Sequence, residues 1–513
     1  MEERWKIQPI AWRWVFLLVG VKLLVHVLTS NAYGYFRDEL YFLDCARHLQ
    51  WGYVDDTPGI VILCKLALLM GSSLPVIRTL AALAGAGTVL LSTLLAREMG
   101  GGRFAQAFVG LCVLSAPFFL AVDSILCVGT LEPLFWMGCV LLLIRITRTG
   151  QSRLWLGFGV VAGLGLEVKY TMLLVLACLL AGLILTPLRR ELRRPLFWAG
   201  LGLAALIFLP TFLWQVNHHF PLLEDMANIR REGKNIVLAP LTFIGQQIAF
   251  LDPLLLPVWL VGLGSLLFGR LARLRALGWF YLFLLTAMII LHAKNYYLGA
   301  IYPMLFAAGA VVVEEALEGW NWSRGRSWPK AALAGFVAAT FFLFVPVELP
   351  LLPPAKLLAY QAFLRINPPH SEVNHAGALD QRFGDQFGWP ELAVEVARIY
   401  HALPLEEQAL TGIYAGNYGE AGAINQFGRA LGLPPAICAH QAHSFWGPPA
   451  VEPVNLICLG CGREGLERRF DSVEEVGVHH HPWGMEEENR PIYLGRRLNT
   501  PFRELWPQIK HWN

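Results

Sequence analysis

The chain has 513 residues, a net charge of +3, 55% hydrophobic residues and only 15% charged ones, with a mean hydropathy of +0.48. An ordinary soluble domain carries about 25% charged residues, so the composition excludes a wholly soluble globular protein, and the near-balanced charge gives no footing for a nucleic-acid partner. The charge is unevenly placed: residues 1–348 are long apolar stretches broken by short arginine-rich loops, whereas residues 349–513 have a soluble composition.

The first apolar stretch lacks a small-residue cleavage site and is long enough to stay as an anchor. A helix of about 20 apolar residues crosses a bilayer. In chain order the candidates are 10–29, 74–96, 104–122, 127–145, 154–169, 171–187, 196–216, 253–269, 277–293, 298–317 and 331–348, about eleven transmembrane helices. Glu167 and Lys169 interrupt the 154–187 region. The stretch 58–71 is too short to span and is expected to re-enter or lie at the interface.

Arginine-rich loops mark the cytoplasmic side. With Glu2, Glu3, Arg4 and Lys6 inside, alternate gaps carry Arg97 and Arg103, then Arg145, Arg148 and Arg153, then Arg189, Arg190, Arg193 and Arg194, then Arg270, Arg273 and Arg275, and finally Arg324, Arg326 and Lys330. Eleven spans then leave the C-terminal part outside. The outer loops are 30–73, 123–126, 168–171, 217–252 and 293–297, and two of them are long enough to carry recognition or chemistry.

Ionisable groups at membrane depth are costly and are functional candidates by default. The first outer loop places Asp38 and Glu39 directly after Arg37, and the spacing of Leu40, Tyr41, Leu43, Ala46, His48 and Leu49 predicts an amphipathic helix lying in the interface. Its first turn favours negative charge, so the same acids also read as plain helix caps. The turn Trp51–Gly59 holds Asp55 and Asp56. Glu132 sits about one helical turn below the outer surface and needs a buried partner; Glu167, Lys169, Lys294 and Tyr297 lie at other outer junctions, where the lysines also read as snorkelling or solvated. In the long loop, His218 and His219 are adjacent and point apart, which disfavours a shared metal, while Arg230, Arg231 and Lys234 suit phosphate groups or lipid head groups. Tyr33, Tyr35, Phe36, Tyr41, Trp51 and Tyr53 read mainly as an interfacial aromatic belt.

These residues carry a resemblance. Arg37-Asp38-Glu39-Leu40-Tyr41, Asp55-Asp56-Thr57-Pro58, Glu132-Pro133-Leu134, and Lys294-Asn295-Tyr296-Tyr297 with Tyr302-Pro303 resemble GT-C glycosyltransferases. The nearer likeness is to the bacterial branch of the dolichyl-phosphate-mannose–protein mannosyltransferase (family 39) group, and a more distant one is to lipid A aminoarabinose transferases. The tail segments Asn417–Ile424 and Trp446–Pro448 share the likeness.

The resemblance implies inverting transfer of a sugar from a polyprenyl-phosphate donor to a hydroxyl of a lipid, glycan or protein acceptor, at the outer face of a bacterial inner membrane. It assigns catalysis to Asp38, with Glu39 beside it and Glu132 as the second acid; relatives often have aspartate there. It gives the lipid phosphate to Lys294, with Lys169 as a second candidate. Beside these, Tyr297, Arg230 and Arg231 are candidate donor contacts, and Tyr35, Asp55, Asp56 and His218 candidate acceptor or sugar contacts. Relatives often carry a basic residue or a second proline in the first-loop turn, where this chain has Thr57-Pro58-Gly59. The sequence names no cofactor and leaves room for a divalent metal. An aspartate of ordinary acidity is ionised at neutral pH, so transfer through a carboxylate base falls in acid.

The expected fold class is an all-α polytopic membrane domain (1–348, GT-C-like) followed by a small extracytoplasmic α/β domain (349–513). In the latter, residues 390–403 read as helix, 409–415 as strand, 417–431 as turn and helix, 453–459 as strand and 463–469 as helix. Its expected role is acceptor recognition or a lid. Gly416, Gly419 and Gly422 superficially resemble a nucleotide fingerprint, but the spacing is wrong, and His479-His480-His481 is a poor chelator. Cys438, Cys458 and Cys461 are free thiols or, outside the cytoplasm, contain one disulfide. Two other functions compete. A transporter or lipid flippase predicts internal repeats and midplane polar groups, neither of which is visible. A non-catalytic membrane scaffold predicts that Asp38 is replaceable.

Overall fold

The computed structural model describes residues 7–319, 327–367, 372–373 and 376–512. Glu2, Glu3, Arg4, Lys6, Arg324 and Arg326, part of the charge pattern above, lie outside the described residues. The chain divides into two compact units: residues 1–30, 75–213 and 237–352 form the first, and residues 31–74, 214–236 and 353–513 the second.

The first unit is helical. By length and composition, the described residues contain seven helices fit to cross a membrane, or up to nine if two bent pairs each count as one span. Several of the other expected stretches are helices that are shorter or bent, for local reasons. The 104–122 stretch is split into Arg103–Ser115 and Pro117–Val122, because Ala116 precedes a proline and is held extended (ψ 124°). The 154–169 stretch is a 13-residue helix, Leu154–Leu166, ending at the polar interruption. Thr171–Ile184 turns by 112° into Pro187–Arg193, with Thr186 extended ahead of Pro187. Residues 253–267 are preceded by a helix, Pro240–Phe250, at a 96° bend, where Asp252 takes φ +70° and accepts a hydrogen bond from the Leu254 N–H. Pro58–Leu69, in the second unit, is a 12-residue helix, short as its sequence required.

Buried charges tie the first unit together. Lys22 is fully buried on helix Trp12–Thr29 and sits 2.7 Å from Asp123, its ammonium also donating to the Phe119 carbonyl at 2.6 Å. Glu98, likewise buried, binds Arg97, Arg145 and Arg148 at 3.3, 3.1 and 2.9 Å. Glu314 accepts the Phe104 N–H at 3.0 Å, supplying a backbone partner at a helix start that has no preceding turn.

The second unit carries a five-stranded sheet. Its strands are β1 (Thr411–Ala415), β2 (Ala436–Cys438), β3 (Asn455–Cys458), β4 (Phe470–Val478) and β5 (Pro491–Leu498), in the order β2-β1-β3-β5-β4. β1 runs parallel to β2 and β3, while β5 is antiparallel to β3 and β4. Helix Tyr418–Phe427 connects β1 to β2. Its apolar face joins helix Trp389–Ala402 in a core with Trp389, Val396, Ile413, Ile424 and Ile457. The α/β alternation read from the sequence is present. The sequence reading did not name β2, which is only three residues long, or the β4–β5 pair, in which β4 is largely exposed. Cys458 and Cys461 are disulfide-bonded, and Cys438 is a buried free thiol.

Candidate functional site

Helix Arg37–Arg47 in the second unit carries the first-loop acids. It is not an amphipathic helix with one face in the interface: Leu40, Tyr41, Phe42, Leu43, Cys45 and Ala46 are all buried. The cause lies in the tail. On helix Tyr418–Phe427, a Cβ at Gly422 would come within 2.9 Å of the Leu40 backbone, and one at Gly419 within 2.8 Å of the Arg37 side chain. The two glycines therefore serve close helix approach.

The three consecutive charges have separate partners. Arg37 is buried and binds Glu487 at 2.7 Å and Glu488 at 3.4 Å. These carboxylates, with those of Asp385 and the Tyr418 ring nearby, hold its guanidinium well above its ordinary range against the opposing effect of burial. Glu39 is fully buried and turns back to accept the Phe36 N–H at 2.8 Å, which caps the helix. Asp38 is half-buried, and its Oδ1 accepts the Tyr418 hydroxyl at 3.0 Å. At the far end, buried Asp44 accepts from Arg47, Asn425 and His443 at 2.6, 2.7 and 3.2 Å.

Asp55 is half-buried and accepts the Tyr41 hydroxyl at 3.3 Å. Burial, then the charge of Asp225, pushes its carboxyl up to about 7, with Asp38 adding to the shift. Asp225 is buried on helix Pro221–Glu232, accepts from Gln441 at 3.1 Å, and is also raised, chiefly by burial. Asp56 is half-buried. Tyr35 donates to the Ser72 carbonyl at 2.9 Å, a brace across the first loop. His218 stacks on Trp214 at 4.1 Å and donates to its carbonyl at 2.8 Å. Arg230 and Arg231 are exposed at the end of their helix, Arg231 donating to Asn228 at 2.8 Å. Among the described residues, no group of three His, Cys, Asp or Glu side chains is arranged to hold a metal ion.

In the first unit, Glu132 finds the partners its burial demanded. It accepts the Thr171 hydroxyl and lies 3.5 Å from Lys169, whose ammonium stands 3.8 Å over the Tyr297 ring. Lys294 stands immediately before the 3₁₀ helix Asn295–Ile301 and is half-buried.

Sequence reading passed over Asp225 and Tyr418. Asp225 lay in a segment read as a loop. For Tyr418 a signal existed: Asn417 and Glu420 form a reciprocal N-terminal cap, Asn417 accepting from the Gly419 and Glu420 N–H groups and Glu420 from those of Gly416 and Asn417. That spacing marks where the helix, and hence Tyr418, begins.

Residues 55–214 match the family model of dolichyl-phosphate-mannose-protein mannosyltransferase. No curated protein matches the chain by sequence. Among solved structures, ArnT from Cupriavidus metallidurans bound to undecaprenyl phosphate is similar with a TM-score of 0.60 and 14% identity, over 94% of this chain and 98% of that one. ArnT in the apo state gives 0.57 and 14%, over 95% and 98%. The Archaeoglobus fulgidus oligosaccharyltransferase tethered with an acceptor peptide gives 0.50 and 13%, over 83% of this chain and 64% of that one. At these identities the likeness to solved structures is one of fold. The chain therefore shares its fold with ArnT, a likeness that extends over almost the whole of both chains. Its residues 55–214 carry the sequence pattern of the mannosyltransferase family model. That matched stretch includes Asp55, Asp56, Glu132 and Lys169, and begins after Asp38.

Proposed function

We propose that this protein transfers a sugar from a polyprenyl-phosphate donor to an acceptor hydroxyl at the outer face of a bacterial inner membrane. The observation that carries the reading is the end-to-end likeness of fold to ArnT, a structure bound to undecaprenyl phosphate. Asp38 takes the acceptor proton as the acceptor oxygen attacks the anomeric carbon. The bond from that carbon to the phosphate oxygen breaks on the opposite side, so configuration inverts and polyprenyl phosphate leaves. A hydroxyl is a poor nucleophile without such a base, and a cation offsets the charge gathering on the leaving phosphate. Lys169 and Lys294 take that role, with Tyr297, Arg230 and Arg231 as further donor contacts. Asp55, Asp56, Tyr35 and His218 serve the acceptor or sugar.

The N-terminus lies in the cytoplasm and the α/β part outside. The Cys458–Cys461 disulfide supports an oxidising compartment for that part. The acceptor is a lipid, glycan or protein hydroxyl. The test uses purified protein in nanodiscs with radiolabelled polyprenyl-phosphate sugars. Wild type should release polyprenyl phosphate and labelled product, and Asp38→Asn should lose at least about a hundredfold in rate, the lower range of general-base catalysis. Equal rates in both would remove Asp38 from catalysis, and failure of wild type to bind any such donor would overturn the reading.

A further inference from the structure

We propose that Tyr418 is a positioning residue for Asp38, its hydroxyl holding the carboxylate in one orientation and in its ionised form; this rests on the catalytic role given to Asp38 above. The contact spans 380 residues of sequence, 3.0 Å from Tyr418 Oη to Asp38 Oδ1. Other contacts within the second unit hold the tyrosine in place. The Tyr418 N–H donates to His440 Nδ1 at 3.2 Å, and the two rings stack at 5.1 Å with 15° between planes. The Tyr41 ring lies 4.7 Å away, and the Arg37 guanidinium stands 5.1 Å over the Tyr418 ring.

The backbone on which Tyr418 sits is equally constrained. The reciprocal cap of Asn417 and Glu420 sets the first turn of its helix, and Asn417 Nδ2 also donates to Glu488 at 3.2 Å, the carboxylate that binds Arg37. Gly419 and Gly422 let that helix approach the helix of Asp38 closely enough for a tyrosine in one first turn to reach an aspartate in the other.

A donor on a carboxylate favours its ionised form. The charged and titratable groups facing Tyr418 are Asp38, Arg37, Asp55 and Asp385, with His440 stacked on it. Burial, followed by the Asp38 charge, raises the phenol well above its ordinary range, so it remains a donor at every working pH. A tyrosine that only braced the fold would leave the titration of Asp38 unchanged once its ring was kept, and this separates the two roles.

The test is Tyr418→Phe, which keeps the ring and its stacking and removes one oxygen. In nanodiscs its thermal midpoint is compared with wild type, kcat and KM are measured, and the Asp38 carboxylate is titrated by NMR on protein labelled with 13C-aspartate, Asp38→Asn assigning the signal. A hydrogen bond to a charged group is worth enough to move a midpoint by about one pH unit or more. The expected result is a kcat lower by about tenfold or more, KM within about twofold, and an acid limb and Asp38 midpoint both higher by about one unit. An Asp38 midpoint within about 0.3 unit of wild type overturns the proposal. If wild type transfers no sugar, the functional reading falls, and the titration alone decides whether Tyr418 sets the state of Asp38.

Discussion

Arg37, Asp38 and Glu39 stand side by side in the sequence and do three different things. Glu39 caps its own helix, Arg37 is held by Glu487 and Glu488, and Asp38 meets Tyr418. The sequence made the acids visible but left capping and catalysis open for both, because the deciding partners lie hundreds of residues downstream. Asp55 lends itself to a test of linkage. An aspartate titrates near 3.9 in an unfolded chain and is pushed up to about 7 here. As pH rises from about 4 to about 7, the unfolded chain ionises while the folded one resists, so stability from this group is lost across that window and levels off above it. Asp55→Asn should therefore raise the melting temperature over wild type at pH 8 and by clearly less at pH 5. Buried His440, held neutral well below its ordinary value, has the opposite sign, losing stability as pH falls through about 6.5; it is common to both proteins and cancels. A variant-to-wild-type difference independent of pH would contradict the assignment.

At the scale of elements, proline and buried charge explain most departures from the expected spans. Apolar length alone made 104–122 continuous, but Pro117 forces the preceding residue into extended backbone, and Pro187 does the same just past the end of helix Thr171–Ile184. Helix Trp12–Thr29 is mostly exposed and is fastened through the Lys22–Asp123 pair. A buried ion pair that loses one partner leaves an uncompensated charge, at a cost of about 3–5 kcal/mol. Asp123→Asn should lower stability on that scale, measured by denaturation in detergent, whereas Lys22→Met with Asp123→Leu should recover most of it. Equal loss in the single and double variants would assign the contact to shape rather than charge. Some arginines that set the expected orientation have a second use: Arg97, Arg145 and Arg148 all bind Glu98.

For the whole molecule, the sequence separates an apolar part from a soluble one near residue 349, and the structure groups residues 31–74 and 214–236 with the segment from 353 onward. The proposed topology puts that grouped unit outside. Glu406→Cys, at an exposed position, should react with a membrane-impermeant maleimide in right-side-out vesicles, and reaction only after the vesicles are opened would reverse the orientation.

By itself the sequence determined that this chain is a polytopic membrane protein with a small α/β part, because hydropathy and the periods of helix and strand are local properties. It also placed the acids of the first loop, and Glu132 and Lys169 separately, among the candidates, because charge beside apolar spans is conspicuous; that Glu132 and Lys169 meet is a tertiary contact. Only the tertiary structure decided which of those acids caps a helix and which is held by a tyrosine, and that Gly419 and Gly422 exist to bring two helices together. Those outcomes depend on contacts between distant segments, and spacing along one chain does not encode which distant side chain will supply a hydrogen bond.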